Sequence, residues 1–473
     1  MKRSNIDAMI CKQEGITEIT RDEIHRIQLE KLNIVLKREK EREGFYRDLP
    51  ERLESLIDLR SLPFTTETDL ARDGGRMLLC SQGEVQKVIS EQTSGTTGAG
   101  KRVFYTEGDC EHTIELFMAG LGEFIYPGSI TMVAMPFSGP FGLGELIAEA
   151  IRRLGAKPLS TGTGRSYGEL NRILEEEQPD TYVGMPTALL SMLRMCGKGS
   201  IKRALVSGDA CPQTVMKAIE EILETRLWPH YGSREMGLGG AICCTAHDGM
   251  HMRENHCITE IIDENGNVLP DGEWGELVIT TIGMEAQPLI RYRTGDWTRI
   301  IPGRCLCGSE IKRLDFVKRM DPLGSIREMD ELLFEIPELV DYCVKIVDGK
   351  KEITALFTSD NGEERIRSVL EEKDIRSWNC KKAKWEDLAL YPGKRVTRQL
   401  FRGIMESLPC LLFRIVWTIF LDAFAIIFAV FTRYRRQRNV YRTKLIVKMN
   451  SFFNGNSAGT FAAARSTNIC QSG

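Results

Sequence analysis

Nine consecutive residues, Thr93-Ser94-Gly95-Thr96-Thr97-Gly98-Ala99-Gly100-Lys101, constrain this chain more than any other stretch, with four hydroxyls, three glycines and one cation. Glycines let a backbone approach a polyanion and aim successive N–H groups at it, hydroxyls add donors, and lysine offsets charge. That chemistry suits the phosphates of a nucleotide. The stretch also fits the Walker pattern at Gly95, Gly100 and Lys101, but a Walker loop needs Ser or Thr after its lysine and opens a helix. Here Arg102 follows, and Arg102-Val103-Phe104-Tyr105-Thr106 has the β-branched and aromatic character of a strand. A P-loop NTPase is therefore disfavoured, and a plain surface turn is the other alternative.

Three more segments follow in order: His230-Tyr231-Gly232-Ser233-Arg234-Glu235-Met236-Gly237, Gly275-Glu276-Leu277 and Tyr292-Arg293-Thr294-Gly295-Asp296. Together with the first loop they resemble the motifs of the adenylate-forming superfamily, which includes acyl-CoA synthetases, adenylation domains and luciferases. The wording of Ala286-Gln287-Pro288-Leu289-Ile290-Arg291-Tyr292-Arg293 is most similar to the phenylacetate-CoA ligase-like branch. The resemblance implies an ATP-dependent acid–thiol ligase that makes an acyl or aryl adenylate and then its coenzyme A thioester. An enzyme that loads a carrier protein or stops at nucleotidyl transfer is the rival within the family.

Residue by residue, the resemblance implies ATP phosphate contacts from Thr93, Ser94, Gly95, Thr96, Thr97, Gly98 and Lys101. Glu235 matches the Mg²⁺-binding carboxylate, and a hard cation wants oxygen ligands. Asp296 matches the acid that accepts both ribose hydroxyls, which one ionised carboxylate can do. Tyr231, beside Gly232, matches the residue that stacks on adenine, and Ser207-Gly208-Asp209-Ala210 the loop beside it. Arg234 departs from the family's Thr or Ser, and Lys318 from the usual glycine, while Arg319 after it still matches the family's catalytic arginine that contacts ribose or phosphate. Asp321 falls at the hinge of a small mobile domain. Lys394, in Tyr391-Pro392-Gly393-Lys394, matches the lysine that neutralises the transition state of adenylation. Phe137, Phe141 and His230 occupy places that line the acyl pocket.

A second constellation is Cys244-x₂-His247 followed by Cys305-Leu306-Cys307-Gly308. Two pairs of sulfur and imidazole ligands from two loops complete a tetrahedral structural zinc site with no open position. His251, His256, Cys243 and Cys257 crowd the same region, and any of them can replace a ligand named here. Reduced thiols without a metal are the alternative.

The alternation of short apolar runs and amphipathic stretches after Leu62-Pro63 predicts βαβ units in a layered α/β domain. Strands are expected at Thr131–Met135, Thr181–Gly184 and Ala204–Ser207, and helices at Gly144–Leu154, Leu170–Glu177, Ala188–Met195 and Thr214–Leu223. Glu18–Glu43 reads as a charged N-terminal helix. Ile258–Ile262 and Gly275–Thr281 read as a hairpin with an Asn265-Gly266 turn, opening a β-rich subdomain. The expected fold is thus a large multi-subdomain α/β adenylation domain over 1–318 and a small α+β domain over 319–402. In the small domain the expected order is helix Arg327–Ile336, strands Asp341–Val347 and Lys351–Thr358, and helix Glu363–Glu372.

The tail differs. Residues 403–473 carry nine Lys or Arg against two acids, while the whole chain of 473 residues has a formal net charge of −3. Leu408–Phe431 is nearly all apolar, broken by Arg414 and Asp422, and a basic cluster follows. Its length suffices to span a bilayer. A span would set the basic flank and the enzyme on opposite sides, although both belong in the cytoplasm. An interfacial helix, a true span and a spurious extension all stay open, and membrane association rests on this tail alone. Nothing before residue 400 is basic enough for nucleic acid, and Met1-Lys2-Arg3-Ser4-Asn5 opens no apolar signal segment. A cytoplasmic enzyme is expected, with its 14 cysteines reduced. The identity of the acid and the oligomeric state are not legible.

Overall fold

The computed structural model describes residues 4–91, 101–319, 325–347, 350–359, 361–372 and 378–382. Two helices open the chain, α1 (Asn5–Glu14) and α2 (Arg21–Glu41), each started by a hydroxyl cap, Ser4 and Thr20. Leu32, Val35 and Leu36 of α2 form one apolar stripe that packs on Ile258, Ile282 and Ile290. The short α3 (Glu67–Asp73) starts at a reciprocal Thr66–Asp69 capping box.

Strands β1 (Lys87–Glu91) and β2 (Lys101–Tyr105) pair antiparallel, with Glu91 opposite Lys101. The segment between them therefore connects two strands, and Lys101 opens a strand rather than a helix. That outcome excludes the P-loop reading. Helix α4 (Glu107–Leu121) follows, capped by Thr106 and Asp109.

Next come β3 (Ile130–Ala134), α5 (Leu143–Arg153), β4 (Lys157–Ser160), α6 (Tyr167–Glu177) and β5 (Thr181–Gly184). The alternation continues with α7 (Pro186–Cys196), β6 (Arg203–Val206), α8 (Gln213–Leu223) and β7 (Trp228–Tyr231). Strands β4, β3, β5, β6 and β7 lie side by side and parallel. The sheet continues antiparallel through β8 (Ala241–Cys243) and β9 (Met250–Met252). Its central strands β3, β5 and β6 are buried on both faces, which explains their apolar runs. Val133, Val183 and Leu205 join the core with Phe117 and Ile147, while Met132, Tyr182 and Ala204 join that with Leu189 and Ile219.

An antiparallel sheet holds β10 (Cys257–Ile262), β11 (Gly275–Thr281) and β12 (Tyr292–Thr298). The β10–β11 pair is as expected, but twelve residues join it, and the Asn265-Gly266 turn closes only a local bridge between Ile262 and Val268. Strands β13 (Ile300–Ile301) and β14 (Arg313–Leu314) extend the large sheet beyond β9. Strand β15 (Lys318–Arg319) pairs with β12, setting Arg319 opposite Asp296.

The last described module contains α9 (Ser325–Leu333), β16 (Leu339–Val347), β17 (Lys350–Phe357), α10 (Gly362–Glu372) and β18 (Trp378–Lys382). It shares one apolar core with α7 and α8. Glu331 accepts from the first amides of α8, Gln213 N at 2.8 Å and Thr214 N at 2.9 Å, where Pro212 offers no side-chain cap. Arg194 of α7 donates to Leu339 O and Phe334 O and lies over the Phe334 ring.

Candidate active site

The loops that leave the C-terminal ends of β3, β5, β6 and β7 share one edge of the large sheet, the edge where open α/β folds bind ligands. They carry Phe137 and Phe141, Met185, Ser207 and Gly208, and the turn with Arg234 and Glu235. Gly232 permits that turn, because a Cβ there would stand 2.5 Å from Leu238 O and 2.9 Å from His230 Cε1. Gly208, with φ of +84°, lets the β6 loop close on Met135 and Met185.

Residues far apart in sequence meet here. Tyr231 donates its hydroxyl to Asp296 Oδ2 at 2.7 Å. Lys101 Nζ lies 2.7 Å from Glu235 Oε1, with both side chains nearly buried, and Tyr292 donates to the same oxygen at 3.5 Å. Burial works against the Glu235 carboxylate, yet the Lys101 ammonium holds it below the usual carboxylate range. The Tyr105 hydroxyl donates to Arg234 O, anchoring the turn to β2. The Glu235 carboxylate is the kind of oxygen ligand that a hard divalent cation takes, and the Lys101 ammonium the kind of donor that a phosphate takes.

Ser207 Oγ and His230 Nδ1 are 2.7 Å apart. The His230 ring packs on Phe117 of α4, 4.8 Å between centroids, and burial pushes its pKa down to about 3, so it is neutral. Phe137 and Phe141 are half-buried and pack against the same core. Thr93, Ser94, Gly95, Thr96, Thr97, Gly98, Asp321 and Lys394 lie outside the described residues, and for Arg319 only the backbone is described.

The metal constellation needs one correction. Cys244, His251, Cys305 and Cys307 are buried with their ligand atoms all within 4.8 Å of one another. His247 is not among them. Its backbone turns left-handed, its Nδ1 lies 2.9 Å from Leu227 O, and its ring packs on Trp228. The β8–β9 hairpin is responsible, since it returns His251 opposite Ile242. Alternate strand residues share a face, so Cys244 and His251 fall on the same side. Cys244 Sγ is 3.8 Å from Cys305 Sγ, and His251 Nε2 is 3.6 Å from Cys307 Sγ. A tetrahedron with metal–sulfur bonds of about 2.3 Å has edges of about 3.8 Å, so the donor set fits zinc. Hydrogen bonds from Cys244 and Cys305 hold the Cys307 thiol far below its usual range.

Two further residues of the site escaped the sequence reading. Tyr292 sits inside a recognised motif but had no role assigned, and Glu67, whose Oε1 lies 3.3 Å from Lys101 Nζ, belongs to no motif. Only the Thr66-x-x-Asp69 capping signature marks the helix that begins at Glu67.

The model of the family described as AMP-binding enzyme matches residues 92–285. The phenylacetate-coenzyme A ligase of Escherichia coli (strain K12) is 30% identical over 351 residues, 69% of this chain and 78% of that protein. The chain belongs to the phenylacetate-CoA ligase family of AMP-binding enzymes. The ligase of that name from Aromatoleum evansii is 29% identical over 76% of this chain and 87% of its own length. Among solved structures, a 2-hydroxyisobutyryl-CoA ligase in the postadenylation state with 2-HIB-AMP is similar in fold. Its TM-score is 0.66 at 20% identity, over 82% of this chain and 93% of that one. The protein is an AMP-forming, ATP-dependent acid–CoA ligase, with the large α/β architecture that such enzymes share.

Proposed function

We propose that this ligase activates a small aromatic or apolar carboxylic acid at the edge formed by the loops after β3, β5, β6 and β7. The relatives named phenylacetate-CoA ligase and the apolar surroundings of Phe137, Phe141, Met135 and Met185 support that substrate class. The observation that carries the reading is the convergence of separate motifs, Lys101 with Glu235 and Tyr231 with Asp296.

In this reading a carboxylate oxygen of the acid attacks the α-phosphorus of ATP, and the bond to pyrophosphate breaks. The thiol of coenzyme A then attacks the acyl carbonyl and AMP departs. Both partners of the first step are anions, so the protein's contribution is positioning and charge stabilisation. Asp296, oriented by Tyr231, accepts the ribose hydroxyls, and Lys101 offsets phosphate charge. Glu235 would hold Mg²⁺, which would supply positive charge to the phosphates. Arg234 stands where a hydroxyl is usual and offers phosphate a guanidinium instead. Lys394 and the hinge at Asp321 keep the roles that the resemblance implies, and movement of the module after residue 319 between half-reactions would have to break its packing on α7 and α8.

Cys244, His251, Cys305 and Cys307 hold a structural zinc ion that ties β8, β9 and the 305–307 loop together. The chain works in the cytoplasm, where ATP and coenzyme A are found. Carboxylate-dependent ATP–pyrophosphate exchange tests the substrate proposal, with phenylacetate as the first acid of a panel. Exchange and AMP release with an aryl acid are expected. Exchange confined to short hydrophilic acids would refute the substrate class.

A further inference from the structure

Lys101 stands between two carboxylates, Glu235 Oε1 at 2.7 Å and Glu67 Oε1 at 3.3 Å. The side chains of Lys101 and Glu235 are 7% and 6% exposed, whereas that of Glu67 is 48% exposed. Two features hold Glu67 in place. The capping box of Thr66 and Asp69 fixes the first turn of α3. Thr65 is bridged to Tyr292, donating its N–H to Arg291 O at 3.0 Å and accepting from Arg293 N at 2.9 Å. Glu67 is thus built onto the strand that bears Asp296, and Tyr292 of that strand reaches Glu235.

The Lys101–Glu235 contact cannot persist unchanged if both groups serve a nucleotide. An ammonium on a carboxylate oxygen repels a divalent cation at that oxygen. Once Glu235 turns to a cation, the Glu67 carboxylate, 3.3 Å from Lys101 Nζ, stays in place to share the charge of that nearly buried ammonium. We infer that Glu67 is a positioning residue for Lys101, which holds the ammonium while Glu235 is given over to Mg²⁺. The inference rests on the Mg²⁺ role proposed for Glu235. Because Glu67 is half in water, its charge is kept at little desolvation cost.

ATP binding measured by calorimetry across a series of free Mg²⁺ concentrations tests this without any acid substrate. Glu67→Gln is expected to raise the half-saturating Mg²⁺ concentration about three- to fivefold, the scale of one partly exposed ion pair. Glu67→Lys should raise it further, because it repels Lys101 toward Glu235. In a Lys101→Met background, Glu67→Gln should leave the Mg²⁺ curve where it was, since there is no ammonium left to hold. An equal shift in both backgrounds would mean that Glu67 acts on the metal directly. Superimposed curves for wild type and Glu67→Gln would reduce it to an ordinary helix-start residue. Either result overturns the inference alone, whereas wild-type protein that binds no ATP at any Mg²⁺ concentration overturns the nucleotide-site reading with it.

Discussion

Glu39 should make the stability of this protein depend on pH. It lies on the buried side of α2, fully shielded from solvent; Oε2 accepts from Tyr46 N at 3.2 Å, and Oε1 has no hydrogen-bond partner among the described residues. Burial raises its pKa from the ordinary 4.5 to about 7, against the opposing pull of the Tyr46 N–H and Arg38. The folded protein therefore keeps a proton that the unfolded chain gives up. The stabilisation is fully present below about pH 4.5 and is lost as pH rises through about 7. That interval, at about 1.4 kcal/mol for each pH unit, bounds the effect at about 3 kcal/mol. Glu39→Gln keeps the acceptor for Tyr46 and removes the titration. The variant should match wild type near pH 4, below the unfolded pKa, and be more stable at pH 8.5, by up to about 3 kcal/mol or a thermal midpoint several degrees higher. Thermal midpoints of both proteins across this range are the assay. A constant difference at every pH would refute the argument, since only a group whose pKa is higher in the folded than in the unfolded chain makes the two curves converge toward acid.

Asp296→Ala should weaken ATP binding by about 1 to 3 kcal/mol through unpaired ribose hydroxyls, and Tyr231→Phe by about 0.5 to 1.5 kcal/mol through loss of one hydrogen bond. Calorimetry with ATP checks the order, and a larger loss for Tyr231→Phe would invert the assigned roles. Purified protein should carry one zinc per chain. His251→Ala should lower that content and the thermal midpoint while His247→Ala leaves the zinc in place, and elemental analysis showing the reverse would restore His247 as ligand. Truncation after Phe401 should leave carboxylate-dependent pyrophosphate exchange intact, because every motif identified lies before it; loss of exchange in a folded truncate would place the tail in the enzyme's machinery.

Contiguous chemistry was legible in the sequence. A phosphate cradle needs its glycines, hydroxyls and lysine side by side, and Thr93–Lys101 displays them without any tertiary context. The helices α5 to α8 were legible for a related reason, since each shows one face to a core, and 3.6-residue periodicity records that face in the order of residues. Helix α4 was not, because it is buried nearly all round, from Asp109 and Cys110 to Gly120 and Leu121, and so carries no such stripe. Pairings across the fold lay beyond reach for a different reason. That His251 rather than His247 joins the thiols depends on the register of the β8–β9 hairpin, which no spacing encodes. That Glu67 faces Lys101 depends on a bridge between Thr65 and Tyr292, more than two hundred residues apart. The sequence by itself determined the family and which groups are candidates for binding nucleotide, because that chemistry is local in the chain. Only the tertiary structure decided which charges and ligands face one another, because those contacts are made by strand register and helix docking.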